Sequence, residues 1–168
     1  MRYFIKLAYN GTPYHGWQIQ PEAISVQEKL NDAISTIFRK KIEVVGAGRT
    51  DTGVHASQMY AHFDVENEIA ADIVFKLNSI LPDDIAVYQV FLVDDQKHAR
   101  FDAVSRTYQY KIWLGRNPFL LDFSWQIHSL KPNLTKMNEA AKLLMEYEDF
   151  QCFSKVKTNV HTFNCNIF

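Results

Sequence analysis

Apolar and polar positions alternate from the first residues of the chain. Tyr3, Ile5, Leu7 and Tyr9 fall on one side, Phe4, Lys6 and Ala8 on the other. A period of two predicts a strand over 2–9. Gly11, Pro13, Gly16 and Pro21 then mark a loop. The period becomes helical in "SVQEKLNDAISTIFRK", where Val26, Leu30, Ala33, Ile34, Ile37 and Phe38 share one face. Ser25 and Glu28 have the spacing of a capping box, in which each side chain satisfies the other residue's free backbone N–H. A short β-branched run, "KIEVV", enters a glycine-rich stretch. "SQMYAHFDV" alternates again, with Met59, Ala61, Phe63 and Val65 against Tyr60, His62 and Asp64. "IAADIVFKLNSI" predicts a second helix, stopped at Leu81-Pro82 because the residue before proline is pushed out of helical conformation. "DIAVYQVFLV" predicts a fourth strand.

The order strand, helix, strand, strand, helix, strand predicts an α+β fold. It is the split βαβ of ferredoxin-like domains, an antiparallel sheet with both helices on one face. The unit closes near Val93, and a first domain is placed at 1–103. Beyond it, "VSRTYQYKIWL" predicts an aromatic-rich strand and "NPFLLDFSW" a loop. "LTKMNEAAKLLMEY" predicts a helix with Thr135 as N-cap, and "HTFNCNIF" the start of another strand. Residues 104–168 therefore read as a partial second domain, the start of a similar unit. A lone strand after a helix cannot bury a face, so the chain is expected to be the N-terminal portion of a longer one.

Composition narrows the partners only a little. Eighteen basic and 19 acidic residues leave a net charge of −1, so any nucleic-acid site has to be a local patch. Cys152 and Cys165 form no C-x-x-C pair, and the N-terminus has no leader pattern. Two reduced thiols in a cytoplasmic protein are expected, with no metal site. No run approaches the roughly 18 apolar residues of a membrane helix, so no membrane partner is expected.

The densest chemistry lies in "GAGRTDTGVHA", residues 46–56. Gly48 and Gly53 have the spacing of a phosphate-binding loop, but Val54 and His55 stand where Lys and Ser/Thr would follow. A dinucleotide fingerprint needs a glycine where Asp51 stands, and both motifs need a following helix. A strand is predicted instead. Asp51-Thr52-Gly53 is also the aspartic-protease triplet, which in a dimer would share one proton between two carboxylates. The preceding Arg49 favours an ionised carboxylate and works against that sharing. A polar turn accounts for any one of these residues. It does not account for eleven of them, since a hairpin connection usually needs only about 2–5.

Other stretches admit two uses each. "YHGWQIQ" places Tyr14, His15, Trp17, Gln18 and Gln20 in a loop, residue types that stack on and hydrogen-bond to bases, or that anchor a loop over a core. "KHARFDA" gathers Lys97, His98 and Arg100, as a cationic cluster or a solvated loop. "SRTYQYKI" sets Tyr108 and Tyr110 on one strand face beside Arg106, to stack on a flipped base or to half-cover a sheet. "FRKK" reads as a helix C-terminus complementing the helix dipole.

Taken in order, "YHGWQ", "SVQEKL", "GAGRTDTGVHA", "LPDDIAV", "HARFDA", "RTYQYKI" and "EDFQCFS" resemble the landmarks of the tRNA pseudouridine synthase A family, over essentially the whole chain. The resemblance implies an incomplete pseudouridine synthase fold. It implies isomerisation of uridine to pseudouridine in the anticodon stem-loop of tRNA, without a cofactor, by a protein that is a homodimer when full length. It implies Asp51 as the catalytic aspartate and Arg49 as the arginine that holds the target nucleotide out of the stack. Tyr108 matches the tyrosine that packs on the target base, and Gln18, His55 and Arg100 are expected to contact substrate. Family members continue for about another domain half, which supplies a basic residue against the aspartate. This portion alone is therefore expected to be weakly active or inactive.

One carboxylate is enough for such a reaction. Uracil leaves C1′, turns and rejoins through C5. The carboxylate acts either as nucleophile at the sugar or as base for a ribose proton, and the residues do not choose between these. An adjacent guanidinium and a stiff loop would keep it ionised and aimed. The rival readings are a non-catalytic RNA-binding module and the dimeric protease. An RRM has the same element order, but "QMYAHFDV" lacks its third-strand pattern of glycine and paired aromatics.

Overall fold

The computed structural model describes residues 1–154 and 162–168. His161, the first residue of the last predicted strand, lies outside the described residues. The chain divides into two compact units, Met1–Tyr108 and Gln109–Phe168.

In the first unit the elements run β1 (Arg2–Tyr9), α1 (Val26–Phe38), β2 (Val45–Gly46), β3 (Ala56–Asp64), α2 (Ile73–Ile80) and β4 (Ile85–Val93). The sheet order is β2-β3-β1-β4, antiparallel throughout. This is the split βαβ arrangement that the periodicities predict. The register sets Tyr3 opposite Phe63 and Ile5 opposite Ala61. Their side chains bury with Leu7, Leu30, Ile34, Leu77 and Val87 in one core between the sheet and the two helices. Burial of this apolar surface is the main force holding the unit together.

The capping box forms as the sequence predicts. Ser25 accepts from the Glu28 N–H at 3.2 Å, and the Glu28 carboxylate accepts from the Ser25 N–H at 3.4 Å. The helix ends where Arg39 turns left-handed, at φ 52°. Beyond it Lys40 and Lys41 pair with Glu66 and Glu43. The "KIEVV" run becomes strand only at Val45, because α1 takes over its backbone. The Val44 N–H donates to Asn31 Oδ1, and its carbonyl accepts from Gln27 Nε2. Side chains thus replace the strand neighbour that these groups would otherwise need.

The second unit departs further from the prediction. Of "VSRTYQYKIWL" only β5 (Ile112–Leu114) is strand, paired in parallel with β6 (Trp125–Ile127). Its sole ladder partner among the described residues is three residues long, so 104–111 run without regular pairing, and Tyr108 and Tyr110 stay exposed. The predicted loop "NPFLLDFSW" contains a 3₁₀ turn at Pro118–Leu120 and ends in β6. The last helix is α3 (Leu134–Leu144), capped by Asn133 rather than Thr135. Asn133 Oδ1 accepts from the Lys136 N–H at 3.0 Å, which leaves Thr135 inside the first turn. In place of the final strand, the described residues hold a single bridge between Asp149 and Asn164.

Candidate active site

Three connections converge at one end of the first sheet: 10–25 after β1, 47–55 before β3, and 82–84 before β4. The register of β1 shifts there against both neighbours. Such irregularities re-aim side chains at the rim of a sheet. Tyr9 ends β1 at this rim, and its hydroxyl lies 3.0 Å from Thr50 Oγ1.

The loop carrying Asp51 is zipped to the 10–25 loop by backbone bonds. The Trp17 N–H donates to the Thr50 carbonyl at 3.2 Å, and the Gly53 N–H to the Tyr14 carbonyl at 3.1 Å. The Gly11 N–H donates to His55 Nδ1 at 3.1 Å, so His55 serves as a fastener through that nitrogen. Two glycines make the close approach possible. A Cβ at Gly16 would lie 2.2 Å from the Thr50 carbonyl oxygen, and one at Gly11 would lie 2.0 Å from that of Val54. The Val54 N–H returns to the Asp51 carbonyl at 3.2 Å, closing a turn around Asp51. Asp51 and Arg49 are both exposed on this stiffened loop.

The two uses of "YHGWQIQ" separate here. Trp17 is 2% exposed, wedged against Gly46 and in ring contact with Tyr9. Tyr14 is also buried, and its hydroxyl donates to the Asp84 carboxylate. Burial first, and then the negative Asp84, push the Tyr14 hydroxyl far above its ordinary range. Both aromatics anchor the loop, whereas Gln18 stays exposed beside Trp17.

Segment 94–106 crosses the outer face of the sheet toward the same rim. It starts at the far end, where the Arg2 N–H donates to Asp95 Oδ1 and the Arg2 guanidinium to the Lys97 carbonyl, both at 2.9 Å. The same guanidinium grips Asp64 through two bonds of 2.8 and 2.7 Å. Midway, the Ala99 N–H donates to His62 Nδ1 at 3.2 Å, and the His98 ring meets the His62 ring edge-on, 4.6 Å between centroids. His62, predicted on the polar side of β3, is therefore 3% exposed. Burial, with Arg2 and His98 next, lowers its pKa to about 4, so the ring is neutral at pH 7. At the rim, the Arg106 guanidinium donates to the carbonyls of Ala47 at 2.7 Å and Arg100 at 2.9 Å. Arg100 itself is exposed, with its guanidinium 5.7 Å from the Phe101 ring centroid. Burial raises the Tyr9 pKa, the hydrogen bond to Thr50 works against it, and Tyr108 adds a smaller rise.

Some of the residues singled out from the sequence lie on the aspartate loop or on segments bonded to it. Gln18 follows Trp17, which bonds Thr50; His55 ends the loop; Arg100 is tied through Arg106. Tyr9, Thr50, His62 and Arg106 were not among them. A buried tyrosine and an alternating histidine read as ordinary strand residues, and only the position of Arg106 beside Tyr108 was a signal. The covered sheet face also bears on RNA binding. An RRM presents aromatics of its central strands for base stacking, whereas here 94–106 lies over His62. Among the described residues no group of His, Cys, Asp or Glu is placed to hold a metal ion, and no helix is long and apolar enough to cross a membrane.

A family model described as tRNA pseudouridine synthase matches residues 6–102. The tRNA pseudouridine synthase A of Bacteroides fragilis is 54% identical over 168 residues, covering 99% of this chain and 66% of that protein. That of Bacteroides thetaiotaomicron is 52% identical over 167 residues, covering 99% and 62%. That of Bacillus subtilis is 40% identical over 164 residues, covering 95% and 66%. The chain spans just under two thirds of the length of these curated relatives. The span matched by the family model holds the aspartate loop and all of the first sheet except the start of β1, and on that ground, with these relatives, the chain belongs to the tRNA pseudouridine synthase family.

Proposed function

We propose that this chain carries the catalytic aspartate of an enzyme that isomerises uridine to pseudouridine in tRNA, at the anticodon stem-loop. The observation that carries the reading is the stiffened loop, which holds Asp51 exposed between Arg49 and the Gly53 turn. A carboxylate aimed from a rigid loop suits a reaction that needs one nucleophile or base and an exact approach. Arg49 would hold the target nucleotide out of the stack, and Tyr108 would pack on its base. Gln18, His55 and Arg100 would contact the surrounding RNA. The full-length protein would act as a cytoplasmic homodimer, with 104–168 beginning its second domain.

Isomerisation breaks the C1′–N1 bond, forms C1′–C5, releases the C5 proton to water and leaves N1 to take up a proton in its place. Tritium release from 5-tritiated tRNA therefore reads the reaction directly. The full-length protein should release tritium, and its Asp51→Asn variant should bind tRNA without releasing any. Undiminished release by Asp51→Asn would overturn the assignment. The 168-residue chain alone should show weak release or none, and full activity from it would remove the need for a second half.

A further inference from the structure

We propose that Arg106 is a positioning residue for Asp51, the clamp that fixes the aspartate loop to the segment carrying Arg100. The inference rests on the function proposed above. Its basis is the geometry of one guanidinium nitrogen. Nη2 has two N–H groups, and each finds a different carbonyl, Ala47 at the entry of the aspartate loop and Arg100 on the crossing segment.

Gly48 lies beneath the Arg106 side chain. A Cβ there would lie 3.4 Å from Arg106 Nε and 3.9 Å from Cδ, so the side chain passes directly over the loop backbone. The other side of the loop is held by the 10–25 connection, through Thr50, Gly53 and His55. Arg106 therefore closes the frame on the side that this connection leaves open. It also sits two residues before Tyr108, so one residue sets the aspartate loop, the Arg100 segment and the tyrosine relative to each other. Its hydrogen-bond partners are backbone carbonyls, which specify position and carry no charge for substrate.

A phosphate-binding arginine would look different in kinetics. Removing a phosphate contact raises KM and flattens the salt dependence of binding by about one unit of slope. Removing a positioning residue lowers kcat, since a displacement near 1 Å costs about a hundredfold. The test uses full-length protein, 5-tritiated tRNA and the variants Arg106→Ala and Arg106→Lys. Arg106→Ala should lose about ten- to a hundredfold in kcat, with an unchanged salt slope of KM, and Arg106→Lys should restore part of the loss. Hydrogen exchange on the same proteins needs no activity. The Gly53 and Val54 amides should exchange faster in Arg106→Ala while those of α1 do not change.

Wild-type kcat in Arg106→Ala would overturn the proposal, as would a higher KM with a flatter salt slope. Unchanged exchange at Gly53 and Val54 would overturn it as well. If wild-type protein releases no tritium but the exchange difference is present, the proposed function falls and the clamp stands. If Arg106→Ala does not fold, Arg106→Lys decides. A lower kcat and faster Gly53 and Val54 exchange in that variant, with the salt slope unchanged, would support the clamp. Wild-type kcat and exchange would refute it, as would a higher KM and a flatter slope.

Discussion

The Tyr9 hydroxyl lies 3.0 Å from Thr50 Oγ1, which links the last core residue of β1 to the residue before Asp51. Tyr9→Phe keeps the ring and removes this bond alone. A single hydrogen bond contributes about 1 kcal/mol to stability, so urea unfolding should show a small loss. Tritium release by full-length protein should fall more steeply than stability, because the bond orients the loop. Equal, minor losses in both would mean that Thr50 needs no such guide.

Two glycines with positive φ separate strain from collision. Gly16 has φ 89°, and a Cβ there would strike the Thr50 carbonyl oxygen. Gly53 has φ 77° with nothing within 4 Å of a Cβ. Gly53→Ala should therefore cost about 1–2 kcal/mol, the penalty of left-handed backbone. Gly16→Ala should cost clearly more and displace the loop. Denaturant midpoints of the two variants, measured together, check the order.

Trp17 and Tyr108 should separate folding from substrate contact. Trp17 is buried, and Trp17→Ala should destabilise by about 3–5 kcal/mol, as other large core truncations do. Tyr108 is 78% exposed, so Tyr108→Ala should change stability by no more than about 0.5 kcal/mol while depressing tritium release. Normal release by Tyr108→Ala would remove the tyrosine from the proposed site.

His62 predicts a pH dependence of folding. Its pKa is 6.5 in the free side chain and about 4 in the fold. Between these values the unfolded chain binds the extra proton, so stability from this group is complete above about pH 6.5 and declines as pH falls toward 4. The facing groups are Arg2, His98 and Asp64, and the first two oppose a charged ring. Urea unfolding at pH 7.5 and 5 should show a larger drop for wild type than for His62→Asn. An NMR titration placing His62 near its free value would contradict the buried geometry.

Much of the first unit was legible because its signals are local. The alternation of Tyr3, Ile5, Leu7 and Tyr9 and the Ser25–Glu28 box both act within a few residues, and both appear as predicted. "VSRTYQYKIWL" misled for the converse reason. Strand propensity is realised only where a neighbouring strand offers a ladder, and β5 finds just three residues. Thr135 misled at the level of a single turn, since Asn133 two residues earlier reaches the same kind of amide.

By itself, then, the sequence determined the element order of the first sheet, its core face, and the loop that holds Arg49 and Asp51. Tertiary structure alone decided what stiffens that loop. The fasteners come from Tyr9, Tyr14, Trp17 and Arg106, far from Asp51 along the chain. It also decided that His62 is buried, since residues nearly forty positions away cover it. Periodicity records which side of a strand is apolar. It carries no record of which distant backbone folds over the other side, because that contact depends on where the chain goes after the strand has ended.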